Sequence, residues 1–279
     1  MMTTGKLRRL TAFSTDPLGG NPAGVWIGPA LPDSDTMQGI AKEVGFSETA
    51  FLAPDSGTDR MIRYFSPQTE IPFCGHATIA AGVALGESDG DGTYRLETPV
   101  GQVPVSTRLR DAVREASLTS VPPRQRVASD ELIGEALSCL GWEQGALDAD
   151  LPAARIYAGA WHLLLAAASA DRLAALKYDF EQLKAFMLKE DLTTLQLVWR
   201  ESPNVFHSRN PFPVGGIVED PATGAAAAAL GGYLRDRDLV TPPCTILVRQ
   251  GEIMGRPSRI TVGIPPSGGV VVTGAAVAI

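Results

Sequence analysis

Two uncharged stretches decide the fold: ATIAAGVAL at residues 77–85 and AAAAALGGYL at residues 225–234. A helix that is apolar on every side must be enclosed by protein. Alanine and glycine dominate both stretches, so that surrounding backbone can approach each helix closely. Elsewhere the chain is rich in short runs of β-branched residues separated by scattered glycine and proline, which is typical of strands joined by tight turns. We therefore expect a curved sheet wrapped around each helix.

The two helices follow similar phrases, PFCGHAT at residues 72–78 and EDPATGA at residues 219–225. Each phrase places a side chain capable of proton transfer, Cys74 or Asp220, just before a turn that contains glycine and threonine. The phrases lie about half a chain apart, as expected for two repeats of one unit. We interpret Cys74 and Asp220 as equivalent positions of the two repeats.

This interpretation predicts an α+β protein of two pseudo-repeated domains, each a curled, mostly antiparallel, barrel-like sheet around a central apolar helix. The N-terminal domain is predicted over residues 1–123, with its helix at 76–87 and a C-terminal strand, at about 266–279, packing onto it. The C-terminal domain is predicted over residues 124–265, with its helix at 224–236.

Composition and motif content argue against several classes of function. The 279 residues carry a formal charge of −7, which argues against nucleic-acid binding because that needs a basic face. No apolar run approaches the roughly 20 residues that span a bilayer, so we expect no membrane partner and a cytoplasmic protein. Three dispersed cysteines and the absence of HExxH, phosphate-loop and GxGxxG spacings predict no metal and no cofactor.

The starts of the two apolar helices are candidate carboxylate-binding sites, because a helix N-terminus carries unpaired N–H groups and partial positive charge. Glycine at Gly75 and Gly224 lets an anion approach the backbone. His76 lies in the first of these turns, where it can donate to a substrate or shuttle a proton. The alternative is that both glycines only form turns and that His76 is structural.

Glu48 is the candidate acid/base. If strand alternation holds, it shares a face with Ala50 and Leu52 and points into a poorly solvated interior, which suits proton transfer. The alternative is an exposed loop glutamate. Asp220 can act on a substrate or merely cap the second helix, and Cys74 is either a reactive thiol or a buried structural cysteine.

Several phrases together resemble the phenazine-biosynthesis isomerase (PhzF-like) family of the diaminopimelate-epimerase-like superfamily. They run in order over nearly the whole chain: FSTDPLGGNPAGV (13–25), FSETAFL (46–52), RYFSPQTEIPFCGHATIAA (63–81), EDPATGA (219–225) and QGEIMGRPSRI (250–260). The resemblance implies two similar domains with the active site between them, a homodimer and no cofactor. In the phenazine enzyme a proton moves along the conjugated ring of trans-2,3-dihydro-3-hydroxyanthranilate.

The resemblance also assigns residues. Glu48, His76 and Asp220 match the family's catalytic glutamate, histidine and aspartate. Residues expected to bind substrate lie beside them: Ser47, Gly75, Ala77, Gly224 and Ala225. The family often has serine where this chain has Ala225, so a hydroxyl donor is lost and the substrate is expected to differ.

The leading hypothesis is therefore a biosynthetic, cofactor-independent isomerase that moves a proton on a small metabolite bearing a carboxylate. A second hypothesis is a two-base epimerase or racemase that uses Cys74 and Asp220. A third is a non-catalytic binding protein on the same fold.

Overall fold

The computed structural model describes residues 5–279, which form six α-helices, two short 3₁₀ turns and 17 strands. The helices are α1 (Ser34–Val44), α2 (Gly75–Ser88), α3 (Asp130–Leu140), α4 (Ala170–Ala174), α5 (Phe180–Lys189) and α6 (Gly224–Asp236). The 3₁₀ turns are Gln144–Ala146 and Pro213–Gly215.

The helices are separated by runs of strands along most of the described chain. They are β1 (Lys6–Ala12), β2 (Asn21–Ile27), β3 (Glu48–Pro54), β4 (Asp59–Phe65), β5 (Glu70–Ile71), β6 (Gly92–Thr98), β7 (Gly101–Arg110), β8 (Val113–Thr119), β9 (Arg124–Val127), β10 (Ala154–Tyr157), β11 (Trp161–Ala166), β12 (Thr194–Ser202), β13 (Val205–Pro211), β14 (Glu219–Asp220), β15 (Cys244–Gln250), β16 (Ser258–Ile264) and β17 (Val271–Ala278).

The described chain divides into two compact units. One contains the chain up to Thr119 together with the C-terminal Thr273–Ile279, and the other contains Ser120–Val272. The C-terminal segment joins the first unit because β17 pairs antiparallel with β1. No helix within residues 5–279 is long and apolar enough to cross a membrane.

The first unit is a closed barrel of eight strands. Starting from β1, each strand pairs with the next in the order β2, β3, β4, β6, β7, β8 and β17, and β17 pairs with β1 again. Two of these pairings, β2 with β3 and β4 with β6, are parallel, and each needs a crossover. The crossovers are made by α1 and by the segment that contains α2.

The helix α2 lies inside this barrel. It packs against β1, β2, β3, β7 and β8, and every residue from His76 to Gly86 is buried. The wall is so close that a Cβ atom on Gly82 would lie 2.6 Å from Cγ1 of Val105 and 2.8 Å from Cβ of Ala116. This close approach is the reason that the helix consists of small residues.

The outer face of the same barrel is covered by α1. Met37 and Ala41 of this helix pack with Trp26, Phe51 and Phe65 in one buried cluster. Since Phe51 points outward under α1, strand alternation turns Glu48, Ala50 and Leu52 to the opposite face, toward the barrel interior.

The second unit is a sheet of seven strands in the order β9, β10, β11, β12, β13, β15 and β16. The helix α6 contacts β9, β10 and β11 near one end of this order and β16 at the other, so the sheet curls around it. The outer face is covered by α3, α4 and α5, whose apolar residues form one cluster with leucines of β11 and β12. The prediction of a curled sheet around an apolar helix is thus confirmed for both units.

The two units repeat one topology. Each unit contains four neighbouring strands whose three successive pairings are parallel, antiparallel and parallel. These strands are β2, β3, β4 and β6 in the first unit and β11, β12, β13 and β15 in the second. A two-residue strand, β5 or β14, precedes the central helix. Aligning the helix starts pairs Gly75 with Gly224, and it therefore pairs Cys74 with Thr223.

This register corrects the predicted equivalence of Cys74 and Asp220. Cys74 is the N-cap of α2, whereas the N-cap of α6 is Thr223. Asp220 lies in β14 opposite Asn210, in the place that Ile71 of β5 occupies opposite Tyr64. The thiol of the first repeat thus corresponds to a hydroxyl of the second, and the carboxylate of Asp220 has an apolar counterpart.

Candidate active site

Glu48 and His76 are in contact in the first unit. Glu48 is the first residue of β3, where the parallel register with β2 places it opposite Ala23. Its Oε2 lies 3.2 Å from Nε2 of His76, and 16% of its side chain is exposed. Most of the Glu48 side chain is therefore shielded from water.

The carboxylate of Glu48 and the imidazole of His76 are close together, but they do not form a well-directed hydrogen bond. Oε2 of Glu48 is buried, and among residues 5–279 no side chain or backbone group donates a well-directed hydrogen bond to it. Nε2 of His76 also lies 3.5 Å from Oγ of Ser47, which precedes Glu48 in the chain. The side chains of Ser47 and Glu48 thus both lie next to Nε2 of His76.

Cys74 lies against the imidazole of His76. Its Sγ is 3.3 Å from Nδ1 and 3.9 Å from Nε2, so the sulfur sits over the ring and not at the end of one N–H bond. The sulfur of Cys74, a nitrogen of His76 and a carboxylate oxygen of Glu48 lie within 4.8 Å of one another. These three side chains are the described groups that could hold a metal ion.

Hydrogen bonds of two buried hydroxyls stabilise the turn that carries Cys74 and His76. Oγ1 of Thr78 donates to the carbonyl oxygen of Cys74 at 2.6 Å and lies 2.7 Å from the hydroxyl of Tyr64. Burial raises the pKa of Tyr64 far above its ordinary value, so this hydroxyl stays neutral. The turn is therefore supported by the barrel wall and does not depend on a ligand for its shape.

Both central helices begin without a side-chain cap. The side chains of Cys74 and Thr223 accept no hydrogen bond from the first turn of α2 or α6. The other four helices of the described chain are capped in the usual way, by Asp33, Ser129, Ser169 and Asp179. The two enclosed helices thus keep first-turn N–H groups for an anion, and these groups include the predicted substrate-binding residues Gly75 and Ala77.

The second unit carries the other predicted residues, Asp220, Gly224 and Ala225. Asp220 is 9% exposed, and its Oδ2 accepts a hydrogen bond of 2.6 Å from Oγ1 of Thr223. Gly224 and Ala225 are the first two residues of α6, so that Ala225 occupies in this unit the position that His76 occupies in the other. The second unit therefore has alanine at the position where the first unit has the imidazole of His76.

Sequence reasoning did not assign a role to Gln250, the last residue of β15. Its Nε2 donates to the carbonyl oxygen of Asp220 at 2.7 Å and to Oγ1 of Thr223 at 3.0 Å, while its Oε1 accepts from the backbone N–H of Thr223 at 3.1 Å. One buried amide thus holds the turn between Asp220 and α6. The signal was present in the sequence, because Gln250 continues the inward-facing series of Ile246 and Val248.

The remaining histidines lie elsewhere. His162 is fully buried, its Nδ1 is 2.8 Å from Oγ1 of Thr194, and desolvation lowers its pKa to about 3. His207 contacts two surface carboxylates, with Nε2 toward Glu201 and Nδ1 toward Glu252. A buried, neutral imidazole of this kind has a structural role.

The sequence is similar to that of a known family of proteins and to named isomerases. Residues 10–279 match the family model described as phenazine biosynthesis-like protein, PhzC-PhzF. The chain belongs to this family. It is 32% identical to the trans-2,3-dihydro-3-hydroxyanthranilate isomerase of Pseudomonas fluorescens over 89% of this chain and 86% of that protein. The predicted class of enzyme, an isomerase, is thereby confirmed.

Solved structures agree on the fold. A PhzF-family phenazine biosynthesis protein of Bacillus anthracis superimposes with a TM-score of 0.86, at 24% identity, covering 100% of this chain and 98% of the other. A hydroxyproline epimerase of Agrobacterium vitis superimposes with a TM-score of 0.65, at 16% identity, covering 98% and 90% of the two chains. The fold of this PhzF-like isomerase is therefore shared with epimerases, as the sequence predicted.

Proposed function

We propose that this PhzF-like chain is a cofactor-independent isomerase that moves a proton on a small metabolite bearing a carboxylate. The observation that carries the proposal is the pairing of Glu48 with His76 beside the uncapped start of α2. The pair supplies a proton acceptor and a polar donor, and the helix start supplies N–H groups for an anion.

In this mechanism Glu48 removes a proton from an activated carbon and returns it to another carbon on the same face of the substrate. His76 orients the carboxylate of Glu48 and polarises the substrate. The N–H groups of Gly75 and Ala77, with the hydroxyl of Ser47, bind the substrate carboxylate and stabilise the negative charge that develops on it.

We propose that Asp220 and the start of α6, with Gly224 and Ala225, act on the same substrate molecule from the second repeat. This part of the proposal rests on the resemblance to the family, in which both repeats contribute to one active site. The hydroxyl of Thr223 and the amide of Gln250 keep Asp220 in a defined orientation.

The substrate is expected to differ from that of the Pseudomonas fluorescens relative, whose name specifies trans-2,3-dihydro-3-hydroxyanthranilate. Ala225 lacks the hydroxyl that the family often has at this position. One hydrogen bond to a charged substrate group contributes about 1.5–3 kcal/mol. A substrate that needs this bond would therefore bind more weakly here by roughly one to two orders of magnitude.

The test is incorporation of solvent deuterium into substrate, measured by NMR. The first probe is trans-2,3-dihydro-3-hydroxyanthranilate, followed by a panel of cyclic and amino-acid carboxylates. Replacing the acid/base, Glu48→Gln, should lower exchange by about 10²–10⁴-fold, because the amide cannot accept the proton. Glu43→Gln, on the exposed face of α1, is the matched control and should retain full exchange. Full exchange in the Glu48→Gln variant would refute the proposed role of Glu48.

The two-base alternative is separated by Cys74→Ala. An epimerase that uses this thiol would lose turnover in that variant, whereas the proposed mechanism predicts only a small loss. Absence of exchange with every probe would instead favour a binding protein. We also propose a cytoplasmic homodimer, from the family resemblance alone, and sedimentation equilibrium of the purified chain tests the dimer.

A further inference from the structure

Glu219, the residue before Asp220 in β14, forms an ion pair that the proposed mechanism does not use. Arg209 of β13 donates from two nitrogens to its two carboxylate oxygens, with Nε 3.0 Å from Oε1 and Nη2 2.6 Å from Oε2. The side chains of Arg209 and Glu219 are 12% and 4% exposed. This fork of two hydrogen bonds fixes the orientation of the carboxylate, which a single point charge does not.

Arg209 is also attached to a helix. Its Nη1 donates to the carbonyl oxygens of Leu173 and Ala174, at 3.4 and 3.1 Å, in the last turn of α4. Carbonyl groups at the C-terminus of a helix are favourable partners for a cation. Arg209 therefore connects the carboxylate of Glu219 to α4 on the outer face of the sheet.

The strand β14 depends on such side-chain contacts because it is short. It has two residues, both of which pair with β13, so the ladder contains few backbone hydrogen bonds. Neighbouring residues of a strand point to opposite faces. Glu219 thus points outward to Arg209, and Asp220 points to the other face, where the hydroxyl of Thr223 donates to it. The same short strand is held on one face through Glu219 and carries Asp220 on the other.

The first unit contains the same arrangement at the equivalent place. Arg63 directly precedes the residue of β4 that lies opposite the end of β5, as Arg209 directly precedes the residue of β13 that lies opposite the end of β14. Glu70 is the first residue of β5, as Glu219 is of β14. Nε of Arg63 lies 2.6 Å from Oε1 of Glu70, and Nη2 lies 2.5 Å from Oε2. Both repeats therefore hold the short strand before the central helix with an arginine–glutamate pair.

The two pairs differ in burial. The side chains of Arg63 and Glu70 are 29% and 35% exposed, whereas those of Arg209 and Glu219 are nearly enclosed. Exposed ion pairs contribute little to stability, while removal of one partner of a buried pair is costly because it leaves the other charge buried without a counter-charge. The pair in the first unit is therefore a matched control for the pair in the second.

We propose that Arg209 and Glu219 are positioning residues for Asp220. By joining β14 to α4, the pair fixes the strand that carries Asp220 and thus the direction of its carboxylate. Neither residue touches the substrate in this role. The effect on catalysis rests on the proposed function of Asp220, whereas the order of β14 is independent of it.

The first experiment measures the order of β14 by hydrogen exchange of single backbone amides, followed by NMR. The amide of Phe212 reports on β14, because it donates to the carbonyl oxygen of Val218, directly before this strand. In Glu219→Gln it should exchange at least about 100-fold faster than in wild type, since the buried guanidinium loses its counter-charge and local opening becomes more frequent. An unchanged rate would overturn the anchoring role.

Glu70→Gln is the matched control in the first unit. The amide of Ser66, which donates to the carbonyl oxygen of Thr69 directly before β5, should exchange less than about 5-fold faster in this variant, as expected for an exposed pair. In the second unit, Arg209→Lys should have a smaller effect than Arg209→Met, because lysine keeps the charge but not the fork. An effect of Arg209→Lys as large as that of Arg209→Met would count against the ion pair as the anchor. Melting temperatures establish that each variant is folded.

The second experiment tests whether the pair acts through Asp220, and it uses the deuterium-exchange assay. Glu219→Gln should lower kcat at least about 10-fold in the wild-type background but by less than about 2-fold in the Asp220→Asn background, where no carboxylate is left to position. A role confined to stability would lower exchange by the same factor in both backgrounds, and this result would overturn the proposal. If Asp220→Asn alone retains full exchange, the proposed function of Asp220 is refuted, while faster amide exchange at Phe212 still establishes the anchoring of β14.

Discussion

Replacing Gln250 with methionine should loosen the turn that positions Asp220. The change keeps the length of a side chain that is 1% exposed, but it removes two donated hydrogen bonds and one accepted hydrogen bond. Each is worth about 1 kcal/mol net, so the local structure should lose about 3 kcal/mol. Since 1.4 kcal/mol is a factor of ten, opening of this turn should become roughly 100-fold more frequent.

The assay is hydrogen exchange of backbone amides, followed by mass spectrometry of peptides. The amide of Ala227, which donates to the carbonyl oxygen of Thr223 at 3.0 Å, should exchange roughly 100-fold faster in Gln250→Met than in wild type, because local opening of this turn controls its exchange. Amides of α2, in the first unit, should be unchanged. Gln102→Met is the matched control, because the amide of this exposed glutamine donates to the carboxylate of Glu97 at the surface. Wild-type exchange rates at the start of α6 in Gln250→Met would refute the positioning role.

Two further perturbations test the fold. Gly82→Ala should lower the melting temperature, since overpacking against Val105 and Ala116 costs about 1–3 kcal/mol. Gly39→Ala, in α1 with open space around it, should raise the melting temperature by helix propensity, and equal effects of the two changes would contradict the tight barrel. The pKa of His162 is about 3 in the folded protein and 6.5 as a free group, so that only the unfolded chain binds this proton between those values. Stability should therefore fall as pH drops below 6.5, by up to about 1.4 kcal/mol per pH unit from this residue. Urea midpoints of His162→Gln should depend less steeply on pH than those of wild type or His207→Gln, and an unchanged slope would argue against a neutral buried imidazole.

Much of the architecture was predictable from local pattern. Uncharged, small-residue helices at two places predicted two enclosing sheets, because such helices have no polar face to turn toward water. Alternation along β3 predicted the inward direction of Glu48, since side chains on a strand point to opposite faces in turn. These inferences depend on short-range periodicity, which the sequence displays directly.

The alignment of the two repeats was harder to predict from the sequence. The phrases around Cys74 and Asp220 look alike because both combine glycine, alanine and threonine, but the glycine stands at a different place in each phrase. The true register is set by where each helix starts, at Gly75 and Gly224. A helix start is defined by backbone hydrogen bonds, and neither of these two starts has the usual capping side chain that would mark it in the sequence.

By itself the sequence determined the chemistry that is available: one glutamate that points inward, one histidine in a helix-start turn, and two apolar helices that have to be enclosed. Only the tertiary structure decided which groups meet. The parallel register of β2 and β3 brings Glu48 to the start of α2, and the pairing of β13 with β14 and β15 brings Asp220 to Gln250. Contacts between residues that are far apart in the chain depend on strand order and register. Local periodicity carries no information about either of these.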